Sequence, residues 1–140
     1  MPHKRILLID DEVTFTRVLK AYLQEAGPYD VTVANSGRDG LAAAKASTPD
    51  MILLDIIMPD MDGSEVAAQL KEDPKLEAVP VIFLTAVVSR EEAKTRSGVI
   101  GGQFFIAKPV AARDILSHIE RYLAQHAGVP AHPETLNGGG

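Results

Sequence analysis

Short apolar runs alternate with helical apolar periods along this chain, and that alternation constrains its fold more than any other feature. Ile6–Ile9, Val31–Ala34, Met51–Leu54, Val81–Leu84 and Phe104–Ala107 are short apolar runs, broken only by Thr32, and are bounded by polar or turn residues. A strand with one wet face alternates apolar and polar side chains. Continuous apolarity instead suits strands covered on both faces, as in a parallel sheet. Between these runs Phe15, Val18, Leu19, Tyr22, Leu23 and Ala26 recur with the 3.6-residue period until Gly27-Pro28 stops them, and Ile115, Leu116, Ile119, Tyr122 and Leu123 repeat the pattern. Ser36 with Asp39 and Ser89 with Glu92 supply helix N-terminal signals. Residues 64–72 predict a helix ending before Pro74, and the stretch after Ser89 predicts another, with Ala93 nearly its only apolar anchor before Gly98. Five β-α units with right-handed crossovers give an α/β three-layer sandwich with helices on both faces of one sheet.

The 140 residues fit one domain, expected over residues 1–127. From Gly128 the chain carries Pro130, Pro133 and Asn137-Gly138-Gly139-Gly140, which predicts a disordered tail or the start of a linker over 128–140. Cysteine is absent, which excludes disulfides, thiolate metal sites and cysteine nucleophiles. A net charge of -5 with no basic run argues against nucleic-acid binding. The apolar run Ile6–Ile9 is too short for a secretory signal, and no stretch approaches the roughly 18 residues needed to cross a bilayer. A cytoplasmic location is therefore the expectation.

In such a fold, ligands bind at the carboxyl ends of the strands. There the sequence places Asp10-Asp11-Glu12 after the first strand, Asp55 after the third, Thr85 at the end of the fourth and Lys108-Pro109 after the fifth. The second strand ends in Asn35-Ser36-Gly37, which reads as turn and cap material only. Converging carboxylates repel unless a cation offsets them, and Mg²⁺ takes one or two carboxylates plus waters and phosphate oxygens. Lys108 adds a fixed positive charge and Thr85 a hydroxyl donor, so the set suits an anion with several oxygens. Phosphoryl transfer needs mainly positioning and charge neutralisation, and a carboxylate can itself be the nucleophile. Asp55, alone at the end of the central strand, is the candidate acceptor. Each residue also has a purely structural explanation. The Asp pair could cap a helix, Asp55 could initiate a turn, Thr85 could enter a helix and Lys108 could be a solvated charge. Their joint placement at four strand ends is what favours the site.

The same residues carry a family resemblance. Leu7-Leu8-Ile9-Asp10-Asp11-Glu12, Leu53 through Gly63, Leu84-Thr85-Ala86 and Lys108-Pro109, at their separations, resemble the receiver domain of bacterial two-component response regulators over roughly residues 4–125. The resemblance implies a flavodoxin-like fold with a five-stranded parallel sheet in the order 2-1-3-4-5. It implies that Asp55 accepts a phosphoryl group from the phosphohistidine of a sensor histidine kinase or phosphotransfer protein. Asp10, Asp11, Asp55 and the backbone carbonyl of Ile57 would hold Mg²⁺, and Thr85 and Lys108 would contact the phosphoryl oxygens. A switch would couple Thr85 to Phe105, Ala86 would leave the site open, and Lys108-Pro109 permits a cis peptide bond. A phosphorylation-dependent homodimer, through the face formed by the helix after Ser89, the last strand and the last helix, also follows from the resemblance alone.

Several positions depart from the commoner pattern. Ile57 and Val87 are apolar where a side chain could orient an attacking water, so slow self-dephosphorylation is expected. Phe105 lacks a hydroxyl, so a switch there works by packing. Gly98 through Gln103 is glycine-rich and leaves the approach to the last strand undefined, while Val87-Val88 suits either core or a partner surface. His118 reads as a solvated side chain. The alternatives are a Mg²⁺-dependent phosphatase of the haloacid-dehalogenase type using Asp55 as nucleophile, and an interaction module with a vestigial pocket. The phosphatase would want a second Asp at position 57 and a cap domain. A nucleotide-binding reading lacks a glycine-rich turn after the first strand. The output domain or protein is not readable from these residues.

Overall fold

The structure is a computed structural model that describes residues 3–85, 99–100, 103–107 and 110–125. The helix expected after Ser89, Ala86, Val87-Val88, Lys108-Pro109 and the tail from Gly128 lie outside the described residues. In chain order the elements are β1 (Lys4–Ile9), α1 (Val13–Ala26), β2 (Tyr29–Ala34), α2 (Gly37–Ser47), β3 (Met51–Asp55), α3 (Gly63–Glu72), β4 (Val81–Thr85), β5 (Val99–Ile100), β6 (Gln103–Ala107) and α4 (Ala112–Gln125).

Five strands pair in parallel in the order β2-β1-β3-β4-β6, which is 2-1-3-4-5 for the five strands read from the sequence. The sheet also has a short sixth strand within the glycine-rich approach to the last parallel strand. β5 runs antiparallel to β6, with Val99 opposite Phe104 and Ile100 opposite Gln103. Two glycines separate Ile100 from Gln103 in the sequence, and two-residue hairpin connections favour glycine.

The continuous apolarity of the strands follows from their serving two cores. Along β1, Ile6 and Leu8 join Leu19 and Leu23 of α1 and Ile115 and Ile119 of α4. Leu7 and Ile9 turn to the other face, with Leu41 and Ala44 of α2 and Val66 and Leu70 of α3. Central β3 divides in the same way, Met51 and Leu53 to one core and Ile52 and Leu54 to the other. Each such side chain contributes about 1.5–3 kcal/mol by leaving water, so a polar residue in these runs needs a separate reason for being there.

Two helices bury a narrower stripe than the sequence suggests. α1 turns Thr16, Leu19 and Leu23 inward, while Val18 is 58% exposed and Tyr22 also reaches solvent. Val18 and Tyr22 lie about 100° round the helix from Leu19 and Leu23, beyond the edge of the sheet-facing stripe. On α4, Ile115 and Ile119 are buried, and His118 is half-buried rather than solvated. That burial lowers the His118 pKa, Arg121 lowers it further, and Asp114 opposes both.

Candidate functional site

The carboxyl ends of β1 and β3 lie side by side in the middle of the sheet, because these strands pair directly from Ile6 opposite Met51 to Ile9 opposite Leu54. Asp10 follows β1 and is fully buried. Its N–H donates to the Ala34 carbonyl at 3.1 Å, its own carbonyl accepts from Asn35 Nδ2 at 2.8 Å, and its Oδ1 accepts from the Glu12 N–H at 2.9 Å. The first two bonds satisfy the backbone of Asp10, and the third gives its buried carboxylate a donor, which a carboxylate taken out of water needs. Asp55 closes β3, also buried, with Leu84 of β4 beside it in register. Asp11 is half-buried. The three side chains offer carboxylate oxygens that all lie within 4.8 Å of one another.

Helix capping accounts for only part of this acidic run. Glu12 is the N-cap of α1, yet its side chain makes no capping bond. Three carboxylates at this spacing, two of them buried, repel one another. The donor set, all hard oxygens on a rigid sheet edge, fits a cation such as Mg²⁺.

The loop between β3 and α3 is fixed at several points. The Gly63 N–H donates to the Ile56 carbonyl at 2.7 Å. Gly63 lies so close to the strand end that a β-carbon there would strike the Asp55 carbonyl oxygen and come within 2.7 Å of Ile56 Cα. Both obstacles are backbone, so glycine is required at that close approach. Asp60, in the middle of the loop, reaches across to α2. Its Oδ1 accepts from the Gly37 N–H at 3.0 Å and its Oδ2 from the Arg38 N–H at 3.1 Å. Those two bonds hold the Asp60 carboxyl below its usual pKa. Ser36 caps the same helix, accepting from the Asp39 N–H at 3.1 Å, as its sequence signal predicts. A β-carbon on Gly37 would come within 2.9 Å of Met61, so the loop is also seated against α2 by packing.

The structure thus gathers Asp10, Asp11 and Asp55. Ile57, two residues beyond Asp55, is 59% exposed. Thr85 ends β4 one residue past Leu84, opposite Ala107 of β6, and so stands at the same sheet edge. Phe105 lies half-buried against Phe83 of β4, with ring centroids 5.4 Å apart. Lys108 follows β6 directly in sequence and lies outside the described residues. Sequence reasoning missed Asn35 and Asp60. Asn35 reads locally as turn material, and no local pattern announces an aspartate that caps a helix more than 20 residues earlier.

The family described as the response regulator receiver domain matches residues 6–120. Protein PilH of Pseudomonas aeruginosa is 36% identical over 120 residues, covering 86% of this chain and 98% of PilH. The Response regulator PleD of Caulobacter vibrioides is 40% identical over 106 residues, 76% of this chain but 23% of PleD. The chain likewise spans 49% of the transcriptional regulatory protein PhoP of Bacillus subtilis, at 32% identity over 86% of this chain. Among solved structures, the chemotaxis protein CheY4 of Vibrio cholerae superposes with a TM-score of 0.72 at 28% identity, covering 85% of this chain and 98% of that one. A signal receiver domain of a histidine kinase from Syntrophus aciditrophicus gives 0.72 at 32% identity, over 92% and 96% of the two chains. No helix among the described residues is long and apolar enough to cross a membrane.

Proposed function

Because this chain belongs to the response regulator receiver domain family, a family of two-component signalling switches, we propose that Asp55 is its phosphoacceptor. The observation that carries the assignment is the grouping of the Asp10, Asp11 and Asp55 carboxylates at the carboxyl edge of the sheet. A carboxylate oxygen of Asp55 attacks the phosphorus of a phosphohistidine, and the P–N bond breaks with its electron pair returning to the imidazole nitrogen, which takes up a proton. The product is an aspartyl-phosphate. β3 presents the nucleophile from a strand buried at every residue, so its position is set before the donor arrives.

Asp10, Asp11, Asp55 and the Ile57 backbone carbonyl are the groups that would hold Mg²⁺. Bound there, the ion would offset the charge of the carboxylates and of the phosphoryl oxygens. The Thr85 hydroxyl and the Lys108 ammonium donate to those oxygens once the group is in place. Drawing Thr85 toward the phosphoryl group opens room beside Phe105, whose packing then changes. A histidine kinase or phosphotransfer protein is the donor, and the output lies in a partner protein or a segment outside residues 1–127. Residues 128–140 act as tail or linker, and the domain works in the cytoplasm. Self-dephosphorylation is slow. The phosphatase alternative finds no support, since residues 6–120 match the receiver family and Ile57 stands where a second Asp would be needed.

The test is intact mass after incubation with acetyl phosphate and Mg²⁺, beside Asp55→Asn. One added phosphoryl group, absent without Mg²⁺ and absent in the variant, is expected. An adduct that survives Asp55→Asn would overturn the assignment, and steady phosphate release without adduct would restore the phosphatase.

A further inference from the structure

Two hydrogen-bonded contacts link the β2–α2 junction to the two chain segments that supply the carboxylates. On one side, both backbone polar groups of Asp10 are held by consecutive residues at the end of β2. Its N–H donates to Ala34 and its carbonyl accepts from the Asn35 side chain. Asn35 is itself oriented by Thr16, a buried residue whose hydroxyl accepts from Asn35 Nδ2 at 3.1 Å while donating to the Val13 carbonyl at 2.9 Å. On the other side, the adjacent N–H groups of Gly37 and Arg38 bind the two oxygens of Asp60, and Asp60 sits in the loop that leaves Asp55 and contains Ile57. The short segment 34–38 therefore touches both arms of the acidic cluster and contributes no carboxylate to it.

We propose that Asn35 and Asp60 are positioning residues for the cation site. The β2–α2 junction acts as a brace that fixes the separation between the Asp10-Asp11 arm and the Asp55–Ile57 arm. The inference rests on the reading of Asp10, Asp11 and Asp55 as cation ligands. Its physical basis is that cation affinity among hard oxygen ligands depends on holding mutually repelling groups at one spacing, and groups that orient ligands without touching the ion carry much of that cost. Asp60 suits this role because it meets the positive end of α2 as well as two directed donors. Asn35 suits it because its bond to Asp10 fixes the peptide immediately before Asp11.

The experiment titrates Mn²⁺ alone into the whole chain and reads bound metal from loss of the free-ion EPR signal. Asn35→Ala and Asp60→Ala are each expected to raise Kd about tenfold. Asp60→Asn, which keeps one acceptor oxygen, should raise it less and provides a folded variant if the alanine form is unstable. Asp73→Ala is the control. It removes an equivalent turn bond, to the Lys75 N–H at 2.9 Å, at the far end of α3 from Gly63. It should lower the urea midpoint and leave Kd unchanged. Wild-type Kd in both Asn35→Ala and Asp60→Ala overturns the brace and leaves the cation site standing, as does an equal rise in Asp73→Ala. Failure of the wild type to bind Mn²⁺ overturns the cation reading and the brace with it.

Discussion

Phe83 and Phe105 stand opposite each other in the β4–β6 ladder and stack, with planes 26° apart. Phe83 belongs to the core beneath α2 and α3, and half-buried Phe105 packs against that core from the side. Phe105 is thus held by ring contact rather than by a hydrogen bond. Phe105→Ala is expected to lower unfolding free energy by about 2 kcal/mol, as read from urea denaturation, while phosphoryl uptake from acetyl phosphate continues. Phe105→Tyr should keep the stability, because the stacked ring remains.

Gly63→Ala places a methyl group against the backbone of Asp55 and Ile56, so the loop must shift. The variant is expected to lose about 1–3 kcal/mol of stability in urea denaturation. Its Mn²⁺ affinity, measured by the same EPR titration, should fall as well, since the shift begins at the strand end that carries Asp55.

The Ile57 side chain is exposed and offers no hydrogen bond to a water approaching an aspartyl-phosphate. The adduct is expected to persist for minutes or longer by intact mass, and Ile57→Asn should shorten its life severalfold. Decay of the wild-type adduct within seconds would show that the side chain at this position does not govern hydrolysis.

His118 is expected to make the fold lose stability as pH falls. Its folded pKa lies below the ordinary 6.5, chiefly through burial and secondly through Arg121, against the pull of Asp114. As pH falls through 6.5 the unfolded chain takes up the proton first, so stability declines, and the decline ends once pH is below the folded value. Urea midpoints measured from pH 8 to pH 5 should show this slope, and His118→Gln should remove that part of it.

The strands themselves and the placement of the three Asp residues are legible in the sequence because both rest on strong one-dimensional patterns, whereas the strand order 2-1-3-4-5 follows from the family resemblance. Ile6–Ile9 and Met51–Leu54 are apolar throughout since each strand serves two cores, and a carboxylate directly after such a run marks the strand end. Val18 and Tyr22 misled because a 3.6-residue period gives a stripe but not its width. β5 escaped notice because two residues carry no period. Asn35 and Asp60 escaped because their partners, Asp10 and the α2 N-terminus, are neighbours only after the crossovers have formed. Cross-chain capping of that kind leaves no local trace.

The two margins of the sheet differ in how readily they could template another strand. β2 ends one side with six residues, and among them Asp30 and Thr32 face water, a charge and a hydroxyl that oppose apolar stacking. β5 ends the other side with two residues running against the parallel strands, so an incoming chain finds only a short ladder to extend. Among the described residues, the apolar interior strands are thus flanked by margins that offer an incoming strand little to pair with.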